Sequence, residues 1–75
     1  MLGKPLYNIN DEVAFEIKKD DKVYMLQGKI YIIDAYGTFE QNEEVSYDIM
    51  VDKVPWSNNR SALFKHIRES HLIKI

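Results

Sequence analysis

The chain has 75 residues, no cysteine and a net charge of −2. A chain this short forms one domain and hides only about 60–65% of its unfolded surface, so nearly every large apolar residue must serve the core. Without cysteine there are no disulfides and no thiolate metal sites, and packing alone must hold the fold, which favours a compact all-β or α+β unit.

The opening "MLGKPLYNIN" has no apolar run of the length that a signal peptide or membrane span requires, so the expectation is a cytoplasmic protein with no membrane partner. Residues 1–8 read as an N-terminal arm and 9–75 as the domain. In "NINDEVAFEIKK", Val13, Phe15 and Ile17 alternate with Glu12, Glu16 and Lys18, the period of a half-buried strand. Asn10 and Asp11 signal a turn before it, and "KKDDK" after it is a polar hairpin or short loop.

"VYMLQGKIYIIDAY" is rich in β-branched and aromatic residues, with Gly28 in its middle. A glycine inside a strand marks a bulge, a bend or a close backbone approach. The stretch reads as one long strand bent at Gly28, as a small sheet needs if it is to curl. Strict alternation from Ile30 would point Ile32 inward and Ile33 outward. The spacing from Gly28 to Asp34 predicts instead a bulge that turns both Ile30 and Ile33 to the core. Asp34 then falls where the strand leaves the sheet, its carboxylate accepting backbone N–H groups in a turn toward Gly37, which supplies a positive φ.

"GTFEQNEE" is a loop, and "EVSYDIMVD" is a second alternating strand, with Val45, Tyr47, Ile49 and Val51 set against Ser46, Asp48 and Met50. "KVPWSNNRSA" reads as loop because of Pro55 and the Asn58–Asn59 pair. In "ALFKHIRESHLIKI", Leu63, Ile67 and Leu72 fit a short helical turn, whereas "HLIKI" reads as a closing strand. The expected core is Val13, Phe15, Ile30, Ile33, Ile49, Val51 and Leu72.

The opening strand "DEVAFEI", the glycine-led "GKIYIID", and "YDIMV" followed by a turn and "LIKI" together resemble the SH3-like small barrels, in particular their KOW and Tudor-type branches. The chain is also similar to small free-standing barrels among uncharacterised proteins of bacteria and their prophages. The resemblance covers about residues 9–75. It implies an all-β, SH3-like small barrel of about five strands with a short helical turn before the last strand. In KOW-type domains the glycine-led strand and its flanking loops contact RNA or a partner protein, and in Tudor-type domains an aromatic cage captures a methylated side chain.

Charge is unevenly placed. Residues 1–52 hold five basic and eleven acidic groups, a net −6, and residues 53–75 hold five basic and one acidic, a net +4. Such asymmetry marks either a polyanion-binding face or two halves that lie side by side and neutralise each other. The glycine-led strand sits in acidic surroundings, which disfavours nucleic acid.

Catalytic residues are not expected. No second carboxylate, histidine or nucleophile shares the stretch of Asp34, and Ser57 and Ser61 have neither a neighbouring base nor an oxyanion hole. His66 and His71 lack the further ligands of a metal site, and no cofactor is expected. Trp56 has two readings, a lid on one end of the core or an exposed anchor for a partner. Arg60 and exposed tyrosines among Tyr24, Tyr31 and Tyr36 would complete a contact patch with it. The expected function is therefore a non-catalytic interaction module that binds another protein through Trp56, Arg60, Tyr31 and Tyr36. The alternative is RNA or DNA binding through Lys65, Arg68 and Lys74.

Overall fold

The computed structural model describes residues 2–37 and 43–75. The chain is all-β, with five antiparallel strands in one sheet: β1 (Glu12–Lys19), β2 (Lys22–Asp34), β3 (Ser46–Val54), β4 (Arg60–Arg68) and β5 (Ile73–Lys74), in the order β4-β3-β2-β1-β5. The only helical pieces among the described residues are two 3-10 turns, Pro55–Ser57 and Glu69–His71, and the second lies directly before β5. No helix among them is long and apolar enough to cross a membrane. The expected loop at 37–44 lies largely outside the described residues.

β1 and β2 are joined by Asp20 and Asp21 alone, with φ of 51° and 64°. Two successive left-handed residues match the right-handed twist of the flanking strands, which makes "KKDDK" a tight hairpin. β2 is then shared between two partners. Its first part pairs with β1 up to Glu12 opposite Lys29, and from Lys29 onward it pairs with β3. Gly28 sits where the partners change. A Cβ built on it would lie 2.5 Å from the Met50 carbonyl oxygen and 2.8 Å from Ile49 Cγ2, so the glycine is there for close backbone approach.

The bulge expected after Gly28 is present. Ile30 pairs with Ile49 and Ile32 with Asp48, which leaves Tyr31 as the extra residue, and Ile33 then faces Tyr47. Ile30 is buried and Ile33 packs against the core, while Tyr31 is exposed. Asp34 acts in the turn as expected: its Oδ1 accepts the Tyr36 N–H at 3.1 Å, and Gly37 has φ 68°.

Three expectations need correction. The segment 53–62 is not a loop: β3 runs on to Val54, a 3-10 turn follows, and Asn58 and Asn59, both left-handed, reverse the chain into β4 at Arg60. Leu63 and Ile67 do not form a helical turn but lie in β4, where pairing with β3 overrides the local spacing. Ser46 and Asp48 do not face solvent; both are buried, because β3 is covered on both faces.

The core gathers Val13, Phe15, Leu26, Ile30, Tyr47, Ile49, Val51, Val54 and Leu72, with Ile33 packed against it. The arm belongs to this packing too. Tyr7 is buried with its ring edge-on to Tyr47, 5.6 Å between centroids, and the Leu2 N–H donates to the Ala35 carbonyl at 2.6 Å. The acidic and basic halves lie side by side, since β3 pairs with β4 and the Arg68 guanidinium meets Glu43 at 3.0 Å.

Candidate functional site

Trp56 is held at one end of the sheet by local chemistry. Pro55 opens its 3-10 turn with a pre-set φ, and Val54 before it is buried. The indole is half-buried. It meets Tyr24 of β2 at 4.9 Å and Phe64 of β4 at 6.1 Å between ring centroids, the latter edge-on at 88°. Phe64 in turn meets Phe15 of β1 edge-on at 5.6 Å. The aromatic chain thus runs from the core out to Trp56 and joins the β1–β2 hairpin to the β3–β4 hairpin. Lys19 Nζ stands 5.4 Å over the Trp56 ring, within range of a cation–π attraction. Trp56 therefore covers the rim of the core with one part of its surface and keeps the rest open.

Arg60 is exposed and pairs with Val54 on the same hairpin as Trp56. Tyr31 and Tyr36 are exposed as well, but elsewhere. Tyr31 lies at the β2 bulge, and Tyr36 follows Asp34, which pairs with Ser46 at the opposite end of β3 from Val54. Eight residues of strand, about 26 Å, separate Ser46 from Val54. Tyr36 thus lies far from Trp56 and Arg60 along the sheet, with Tyr31 between them at the bulge opposite Asp48 and Ile49. Tyr24 is half-buried in the aromatic cluster rather than exposed.

The three cations of the alternative reading are dispersed as well. Lys65 is exposed on β4, Arg68 is paired with Glu43, and Lys74 lies on β5, the other terminal strand of the sheet.

Polar side chains cluster where the chain leaves β4. Glu69 Oε2 accepts the Tyr47 hydroxyl at 2.5 Å and the Leu6 N–H at 3.1 Å, tying the arm, β3 and the second 3-10 turn together. Burial, with Glu69 beside it, pushes the Tyr47 phenol well above the usual tyrosine range. Glu44 accepts the Ser70 N–H at 2.8 Å and its hydroxyl at 3.1 Å. Those bonds, the backbone one above all, hold the Glu44 carboxyl below its ordinary value. Asp48 Oδ1 accepts the His66 N–H at 3.1 Å, where His66 adopts φ 60° inside a β3–β4 bulge. These groups knit segments together. Among the described residues no three His, Cys, Asp or Glu side chains gather as metal ligands.

Two surface clefts stand out among the described residues. One, about 170 Å³, is lined by Glu12, Gln27, Gly28, Lys29, Met50, Asp52 and Ile75. The other, about 460 Å³, lies between Glu16, Lys18 and Val23 on one side and Ser70, His71 and Ile73 on the other. Neither reaches Trp56.

Comparison with protein-family models, with curated proteins and with solved structures gives no match.

Trp56 stands out in the sequence, but the residues that support it do not. Phe64 was hidden by the helical reading of its segment, and nothing local in Lys19 announces a ring that lies 37 residues further along the chain. Glu69 was likewise missed, since its partners Leu6 and Tyr47 are remote in sequence.

Proposed function

We propose that this chain is a non-catalytic interaction module of the SH3-like small-barrel type, acting in the cytoplasm and binding another protein at the end of the sheet that carries Trp56 and Arg60. Three features support the barrel reading: the order β4-β3-β2-β1-β5, a long β2 shared between two sets of partners, and a 3-10 turn before β5. The observation that carries the binding reading is Trp56, half-buried and fixed against Tyr24 and Phe64 with part of its ring open. A rigid aromatic with an open surface offers a partner large apolar area at small entropic cost, and Trp, Tyr and Arg are the residues enriched at binding hot spots.

The test compares the wild-type chain with Trp56→Ala in quantitative affinity capture from the source cells, with a thermal melt on each variant. The expected result is loss of one captured protein, with stability lowered by only about 1–2 kcal/mol for a half-buried ring. Equal capture by both variants removes Trp56 as the anchor. Micromolar binding of single-stranded RNA that weakens steeply with salt moves the function to nucleic acid.

A further inference from the structure

β4 differs from every other strand of the sheet. It is nine residues long, pairs only with β3, stands at the end of the sheet order and contains no fully buried residue. The opposite edge, β5, is two residues long and offers almost nothing to pair with. An edge strand presents a row of backbone N–H and C=O groups on its outer side, a template for one more strand.

The edge is also shaped. Its pairing with β3 is irregular on both sides of a regular run in which Ala62, Leu63 and Phe64 oppose Val51, Met50 and Ile49. This short run keeps regular pairing, and the bulges on either side add local twist to the ladder. Arg60 and Lys65 flank the run, and neither makes an ion pair among the described residues. β4 carries three cations and no acidic residue. Two such edges repel each other, which disfavours a second copy of the chain here, and a cationic partner is excluded for the same reason.

We infer that the outer edge of β4, over Ser61–Lys65, accepts a short, extended, acidic segment of a partner protein as an added strand, with Arg60 and Lys65 drawing carboxylates at its two ends. The inference rests on the protein-binding reading and supplies the chemistry of the partner. Backbone hydrogen bonds along Ala62–Phe64 give the affinity, and the two cations select for charge. Five residues of strand separate Arg60 from Lys65, about 17 Å, so the carboxylates of the segment must stand about five residues apart.

The experiment titrates the full chain with a capped hexapeptide holding glutamate at its first and last positions around Val-Thr-Val-Thr. Two probes serve as controls, the same peptide with lysine for glutamate and a single-stranded oligouridylate. Amide shifts and amide hydrogen exchange are followed by NMR. The expected result is binding of the glutamate peptide alone, with slowed exchange confined to β4. The Arg60→Glu, Lys65→Glu double variant, changed only at exposed positions, should weaken binding by roughly three- to thirtyfold. No binding of the glutamate peptide, equal binding of the lysine peptide, or shifts that gather at Trp56 without β4 protection would each overturn the edge inference, and the last would leave the interaction reading standing. Oligouridylate competing at β4 with the same affinity overturns it too, and removes the protein-binding reading with it. Concentration-dependent self-association that protects β4 amides would give the edge to a second copy instead.

Discussion

β3 and β4 are neighbours of equal length, nine residues each, yet they live in different environments. Every residue from Ser46 to Ile49 in β3 is buried, polar ones included, whereas β4 has no buried residue at all. β3 has a partner strand on each side and is covered on both faces over Ser46–Ile49, while β4 has one partner and one open side. Alternation along a strand says which side chains share a face. It does not say whether the second face is covered, and that depends on the strand's place in the sheet and on what packs over it.

The largest expected effect tests this contrast directly. Ile49→Ala removes a fully buried side chain and should cost about 2–5 kcal/mol, whereas Leu63→Ala, at a half-buried position of β4, should cost about 1 kcal/mol. Urea titrations of both variants measure the difference, and equal losses would dissolve the distinction between the strands. Gly28→Ala comes next. The new methyl group runs into the Met50 carbonyl and the Ile49 side chain, so overpacking against β3 should cost about 1–3 kcal/mol although the residue is small. A neutral outcome in the same titration would mean that β3 is free to shift.

Asp48→Ala sharpens the comparison at the point where the two strands meet. Asp48 is a buried residue of β3 that accepts the backbone N–H of His66 in β4, at a bulge with left-handed backbone. Its loss leaves that N–H without its acceptor, at a cost of about 1–3 kcal/mol, and amide exchange at His66 should quicken before that of the rest of β4. Uniform quickening along the strand would show that the carboxylate does not act locally.

The smallest effect lies at the entry to β3. The Glu44 carboxyl is lowered in the folded state by the Ser70 backbone N–H and hydroxyl. A carboxyl with a lower folded value binds fewer protons folded than unfolded, so its contribution is complete above the unfolded value and fades as pH falls through the folded one. Glu44→Gln should therefore flatten the stability profile as pH falls through and below the ordinary glutamate range, by less than about 1 kcal/mol at a group so open to solvent. Parallel profiles for variant and wild type would remove Glu44 from the acid response.

Much of this molecule is legible in short runs of neighbouring residues. The period-two pattern of Val13, Phe15 and Ile17, the inward set Tyr47, Ile49 and Val51 of β3, the Asp34 turn, the positive φ of Gly37 and the bulge after Ile30 are all local consequences of backbone sterics and of the two-sided pleat. Each could be read because the residues that decide it lie within a few positions of one another. The remainder depends on contacts between strands. Leu63 and Ile67 have the spacing of a helical turn and became strand because β3 offered a continuous ladder, a long-range partner that no local window contains. Ser46 and Asp48 were buried by what covers the second face of β3. Trp56 gained Tyr24, Phe64 and Lys19 as neighbours from three strands, while Tyr31 was placed at the bulge opposite Asp48 and Ile49 and Tyr36 beyond the far end of the β3 ladder. Local backbone preference sets the elements; which groups meet is a property of strand order, and strand order is set by contacts between residues far apart in the chain.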